Sequence, residues 1–245
     1  MSVFAAFFAA FAHLVEHLAD LIQPLFGATA AAAAIVLFTA LVRLLVHPLS
    51  RAAARGQQAR TALQPKIAAL RAKHAGNPER LRKAVLELHT EERVSPLSGL
   101  LPGLCQLPAF FLLYHLFSNT TIGGETNGLL SHRLFAAPLG DRWADALGGG
   151  GAFGPAGLVY GGLFVLVAGV AFFNYRRTKR LMATSDPVAA ASNGEQVPGL
   201  GALTKVMPFM SFFTLVTVAV VPLAAALYVV TSTTWSAVER AALYR

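Results

Sequence analysis

The sequence predicts an all-α integral membrane protein. It has five transmembrane helices, an outer amphipathic N-terminal helix and a cytoplasmic helical hairpin, with the N-terminus outside and the C-terminus inside. Three observations predict this. Of 245 residues, 55% are hydrophobic and only 13% charged, against about 25% charged in an ordinary soluble domain. So few charges cannot coat that much apolar surface. Apolar runs long enough to cross about 30 Å of hydrocarbon recur along the chain, and Lys and Arg concentrate in alternate connecting segments. Together these exclude a disordered chain, a secreted disulfide scaffold and a free cytosolic enzyme. The lone Cys105 has no partner in the chain for a disulfide.

In residues 1–24, Phe4, Phe7, Phe8, Phe11, Leu14, Val15, Leu18 and Leu21 recur at spacings of three and four. His13, Glu16, His17 and Asp20 fall on the other face. This is the pattern of a helix lying in the outer interface, expected to break at Pro24 and Gly27. A basic leading region and a lipobox cysteine are absent, so it reads as neither a cleaved signal nor a lipoprotein anchor. Residues 28–48 form the first span and residues 49–97 the cytoplasmic hairpin. Here the first helix is expected to run on to Arg60 and a new one to start at Pro65. Gly76, Asn77 and Pro78 then stop and restart the chain, ahead of a stripe of Leu81, Val85 and Leu88.

Residues 98–118 form an uncharged second span, 119–155 an outer loop with a glycine run at 148–151, and 156–175 the third span. Residues 176–202, rich in small residues, Pro and Gly, are a cytoplasmic linker. Residues 206–238 carry no charge. As one helix they would rise about 50 Å, too far for one crossing. Pro222 divides them into spans at 203–220 and 222–239, followed by a tail at 240–245.

Orientation follows from the basic residues. Ten lie in 49–97, four in 176–202 and two in the tail, whereas the opposite side holds Arg133 and Arg142 alone. This is a positive-inside distribution. The net charge of +8 is therefore chiefly a topology signal, and no DNA partner is implied. No internal repeat is visible, which weighs against an inverted-repeat transporter.

Arg43 is the most informative residue. A charge at mid-bilayer costs about 2.5–3.5 kcal/mol on insertion scales. Either it snorkels to the nearby cytoplasmic boundary, or it marks a wet, cytoplasm-open cavity whose positive charge attracts something acidic. Gln106, His115, Asn174, Tyr228, Thr231, Ser232, Thr233 and Thr234 bring polar groups into the spans. They either bond neighbouring helices or converge with Arg43 to wet a groove. Met207, Phe209, Met210, Phe212 and Phe213 are either lipid-facing bulk or a pliable apolar surface for a passing helix. His13, Glu16 and His17 match H-x-x-E-H, a zinc-protease spacing. Zinc needs a third ligand and a buried second shell, and this terminal polar face offers neither, so a solvated face is the reading. Asn119-Thr120-Thr121 matches a glycosylation sequon by pattern alone. No phosphate-binding loop, nucleophile elbow or acidic metal cluster is present. An anion channel or transporter using Arg43 is the alternative function.

Three stretches resemble the YidC/Oxa/Alb family of membrane-protein insertases. They are residues 93–114, including Gln106, Pro108 and Tyr114; residues 207–214 with Val221-Pro222 and Leu227-Tyr228; and Arg43 followed by Pro48 and residues 63–67. The resemblance implies a bacterial plasma-membrane insertase and chaperone of the short, Gram-positive-like form, sufficient as a monomer. It implies a hydrophilic groove open to the cytoplasm and to lipid but closed outside. Arg43, Gln106, Asn174, Tyr228, Ser232 and Thr233 would line that groove. Phe110, Phe111, Phe209, Met210 and Phe213 would form the path along which substrate slides into lipid. Lys66, Arg71, Lys73, Arg80, Arg82 and Lys83 would meet the ribosome or nascent chain. The implied partners are nascent membrane proteins, the bilayer, the ribosome and the Sec translocon. No cofactor, catalytic residue or ATP hydrolysis is implied. The chain departs from the family's pattern at Val229, where an aromatic often follows the tyrosine, and in having Thr231, Ser232, Thr233 and Thr234 at the polar positions of the last span. The tail stops at Arg245, so strong ribosome tethering through it is not expected.

Overall fold

The computed structural model describes residues 3–74, 76–92, 111, 113–122, 124–184 and 206–243. Over these the chain is mostly helical. Helix α1 spans Val3–Phe26 and α2 Ala30–Lys73, joined by a 3-10 turn at Gly27–Thr29. Helix α3 is Pro78–Glu91, and a helical stretch covers residues 113–118. The short α4 (Trp143–Gly148), the long α5 (Pro155–Thr184), α6 (Phe213–Val220) and α7 (Leu223–Leu243) follow, with a 3-10 turn at Met207–Phe212 leading into α6.

The break after α1 falls at Gly27, not at Pro24. Gly27 adopts φ +54°, which a residue without a Cβ takes at no steric cost, whereas Pro24 lies within the helix. Ala12, Val15 and Ala19 form the buried face of α1, and α1 packs along α2. On α2 the opening residues Ala30, Ala31, Ala34, Ile35 and Phe38 are buried. Small side chains here let helix backbones approach closely.

The expectation of a new helix at Pro65 is not met. Helix α2 runs unbroken through Pro48 and Pro65 for 44 residues, a rise of about 66 Å. Both prolines face outward. An interior proline costs about 3 kcal/mol, but it does not end a helix without a cap or turn to redirect the chain. That signal comes at 76–78. Asn77 caps α3 by accepting a hydrogen bond from the Arg80 N–H at 3.0 Å, with Pro78 in the first turn. Helix α3 returns against the end of α2, where Leu63, Ile67 and His89 are buried and Lys66 pairs with Glu92.

Residues 119–155 are more than a loop. Two short antiparallel hairpins pair Thr121–Ile122 with Glu125–Thr126 and Arg133–Leu134 with Ala137–Pro138. Leu129, Ala137 and Leu139 are fully buried in the main core. The Tyr160 hydroxyl on α5 donates to the Asp141 carbonyl at 2.5 Å. The first free N–H groups of α7 are satisfied by the same segment: Leu223 donates to the Asp141 carbonyl at 2.8 Å and Ala224 to the Leu139 carbonyl at 2.9 Å. Helix starts leave such donors orphaned, so this segment caps α7.

The chain turns between α6 and α7 at Val221, which is extended (φ −83°, ψ 158°), and Pro222. Helices α5 and α7 both continue past the apolar windows, to Thr184 and Leu243. Hydropathy marks where a helix leaves hydrocarbon, while caps and turns mark where it ends. By length and composition, two helical runs among the described residues can cross a membrane: Phe8–Lys73 and Pro155–Arg180. Pro208–Val220 is a shorter apolar helix.

Candidate functional site

The seam between α2 and α7 carries the polar chemistry. Arg43 lies half-buried on α2, and its Nη2 donates to Ser232 Oγ on α7. Ser232 and Tyr228 are both buried, one turn apart, with the Tyr228 ring tilted against Phe117 at 6.3 Å between centroids. One turn along α2 from Arg43, His47 Nδ1 meets Glu239 Oε1 at 2.5 Å. Tyr228, Ser232, Trp235 and Glu239 recur at spacings of four, three and four, which places them on one face of α7. Arg43 and His47 are likewise one turn apart. The result is a polar stripe in which two α2 side chains reach across to two on α7.

Asn174 and Thr233 lie elsewhere. They line a recess of about 190 Å³ between α5, the turn at Met207–Phe212 and α7, together with Ser211, Thr214, Thr178 and Arg240. Of the six groove candidates, then, Arg43, Tyr228 and Ser232 cluster, and Asn174 and Thr233 share a second recess. Gln106 lies outside the described residues. The Thr233 hydroxyl donates to the Val229 carbonyl at 2.8 Å and the Thr231 hydroxyl to the Leu227 carbonyl at 2.8 Å. By contrast, Thr234 Oγ1 and Trp235 Nε1 are buried with no hydrogen-bond partner among the described residues.

Among the slide candidates, Phe111, Phe209, Met210 and Phe213 are all exposed, at 57–63%. Phe110 lies outside the described residues. Phe209 leans on Tyr175 of α5 at 5.1 Å between centroids, which ties the 3-10 turn to α5. Phe111 stacks on His115 at 6.0 Å and approaches Phe8 of α1 at 6.4 Å. On the hairpin, Arg71, Lys73, Arg80, Arg82 and Lys83 point into solvent, while Lys66 is engaged by Glu92.

His13 and Glu16 sit 3.4 Å apart on the exposed face of α1. Among the described residues, no group of three or more His, Cys, Asp or Glu side chains is placed to hold a metal ion. The sequence reading missed Glu239. It lies 192 positions from His47 at the edge of an apolar window, where a charge reads as a boundary. Its signal was the helical spacing back to Ser232.

The fold and seam define a class: a helical membrane protein with apolar helices around a buried arginine and its polar partners. A model of the family described as 60Kd inner membrane protein matches residues 21–245. The chain belongs to this family, the YidC/Oxa/Alb membrane insertases. It is 40% identical over 110 residues to a membrane protein insertase YidC of Clostridium perfringens, covering 45% of this chain and 43% of that protein. It is 34% identical over 133 residues to the inner membrane ALBINO3-like protein 2, chloroplastic, of Chlamydomonas reinhardtii, covering 46% of this chain and 31% of that protein. It is 35% identical over 116 residues to the inner membrane protein PPF-1, chloroplastic, of Pisum sativum, covering 47% and 24%. The chain thus spans less than half the length of these relatives.

Proposed function

We propose that this protein inserts nascent membrane proteins into a bacterial plasma membrane through a cytoplasm-open groove centred on Arg43, without ATP hydrolysis and without acting as an enzyme. Five spans at 28–48, 98–118, 156–175, 203–220 and 222–239 would enclose it, with the N-terminus outside. The observation that carries the reading is the half-buried Arg43 bonded across to Ser232, in a chain of the insertase family. A guanidinium there offers an arriving acidic or polar segment a partner part-way into the bilayer, where an unsatisfied polar group costs several kcal/mol. The exposed Phe111, Phe209, Met210 and Phe213 supply an apolar face along which the hydrophobic part of the substrate passes into lipid. Hydrophobic partition and the membrane potential drive the transfer.

The segment at 139–141 that caps α7 supports closure on the outer side, which favours a groove over an anion channel. The exposed cations of α3 and the end of α2 suit a ribosome or an arriving chain, and the Sec translocon is a further candidate partner. A monomer suffices for this scheme.

Photo-crosslinking tests the proposal. A photoreactive residue at Tyr228 and at Phe213, with lipid-facing Leu166 as control, is challenged with ribosome-stalled chains of a single-span protein. Adducts at the first two sites that shift with nascent-chain length, and none at the control, are expected. No adduct from folded, membrane-inserted protein would turn attention to the channel reading and to solute flux.

A further inference from the structure

The His47–Glu239 pair has a consequence for the proposed groove. The Glu239 side chain is only 11% exposed, so its carboxylate is largely removed from water. A carboxylate in such a place finds a charged partner or leaves. The Arg43 guanidinium lies one turn from His47 on α2, and their partners Ser232 and Glu239 lie on one face of α7, so carboxylate and guanidinium share the same seam. Ordinarily these two would close a charge-assisted pair, the stronger kind of hydrogen bond. They do not. Among the described residues Arg43 donates to the neutral Ser232 hydroxyl, and Glu239 is held by His47 at 2.5 Å. The next residue, Arg240, donates its Nε to the Ser236 carbonyl at 3.0 Å, so a backbone group of its own helix occupies that donor.

We propose that Glu239 is an internal competitor for the Arg43 charge, held off it by His47, and that this pair sets how strongly the groove prefers acidic segments. The inference rests on the groove reading above and names residues that regulate it. With His47 in place, Arg43 stays available to a substrate carboxylate. If His47 lets go, Glu239 has the reach of one helical turn to Arg43 and occupies it. Removing the Glu239 charge leaves Arg43 without a rival.

The two residues therefore make opposite predictions, which a merely structural contact between α2 and α7 does not. The full chain is reconstituted in lipid vesicles and given two single-span substrates. They are identical except that the outer segment of one carries three Asp residues and the other carries Asn in their place. The readout is the ratio of acidic to neutral substrate inserted. Glu239→Gln keeps a group that hydrogen-bonds His47, and it should raise the ratio about threefold to tenfold. His47→Ala frees the carboxylate and should lower the ratio by a similar factor. Both variants moving the ratio the same way, or changing both substrates in parallel, overturns the competitor role. Arg43→Gln separates this from failure of the underlying reading. A ratio lowered by Arg43→Gln but unmoved at Glu239 and His47 rejects the competitor alone. A ratio unmoved by Arg43→Gln rejects the charged groove, and the competitor with it.

Discussion

The two ends of the α2–α7 seam are built on opposite principles. At the capped end Ala31, Ala34, Ile35 and Phe38 of α2 and Leu223, Ala224, Ala225 and Ala226 of α7 are buried in one core, and loop carbonyls at 139 and 141 close over the start of α7. At the other end Arg43, His47, Ser232 and Glu239 meet in a part-buried polar stripe. The capped end has the chemistry of a closed core and the polar end that of an adjustable site. On the proposed function the same two helices would carry both stability and selectivity, separated along their length. Substitutions at the capped end should act on folding, and those at the polar end on which substrate is handled.

The sharpest test of the closed end is Leu139→Ala. Leu139 is fully buried and belongs to the segment that caps α7. Removing such a side chain costs about 2–5 kcal/mol through lost burial and the cavity left behind. Thermal unfolding of the purified protein in detergent should show a clear drop. A change below about 0.5 kcal/mol, the scale of an ordinary surface substitution, would mean that the capping segment is not part of the core and that the contrast between the ends fails.

At the other end, Arg43→Glu should leave folding closer to wild type yet lower insertion of substrates with acidic outer segments about tenfold, corresponding to about 1.4 kcal/mol. Substrates with neutral outer segments should be affected less. Equal losses for both would argue that Arg43 supports the helices and does not meet substrate charge.

The contrast between the ends was only partly visible in the sequence. Helix existence came from periodicity: the spacing of Phe8, Phe11, Leu14, Val15, Leu18 and Leu21 marks α1 as a helix. The face buried in the protein, though, is Ala12, Val15 and Ala19, while Leu14 and Leu21 are exposed. The Asn77 cap of α3 follows a local rule that survives folding. Pro65 shows where such a rule loses, because an outward-facing proline with no redirecting turn is absorbed into a longer helix. The small hairpins between residues 121 and 138 have two-residue strands, too short to show a period. Arg43 stood out because a charge in an apolar run is conspicuous on its own. Its bond to Ser232 and the His47–Glu239 pair each join residues nearly 190 positions or more apart, and only the packing of α2 on α7 brings them together. Asn174 and Thr233 join Arg43 in the sequence reading through their polarity and the family resemblance, and neither says which side of a helix faces which neighbour.

Tyr160→Phe sharpens the capped end at single-atom scale. It removes one hydroxyl that donates to the Asp141 carbonyl and keeps the ring, which sits 5.6 Å from Trp143 between centroids. The expected loss is about 0.5–1.5 kcal/mol, the net value of one hydrogen bond. Hydrogen exchange should speed at Leu223, whose N–H shares the Asp141 carbonyl, before it speeds elsewhere in α7. Acceleration spread evenly along α7 would show that the tyrosine stabilises the bundle as a whole and does not specifically hold the segment that caps it.

The smallest expected effect lies outside the seam, in the hairpin. Asn77→Ala removes the acceptor for the Arg80 N–H, typically worth about 1 kcal/mol of helix stability. Helix α3 touches the rest of the protein through the end of α2, so the loss should stay local. Amide exchange at residues 80–82 should rise while the apolar helices are unchanged. On the proposed function, ribosome binding through the exposed Arg80, Arg82 and Lys83 should weaken modestly and in proportion to the fraying of that first turn, since these cations keep their charge and lose only their fixed placement. Charge reversal at the same three positions should weaken binding more strongly and flatten its dependence on salt. If the cap variant matches the charge reversal, the shape of α3 is what the partner reads, and its charge is secondary.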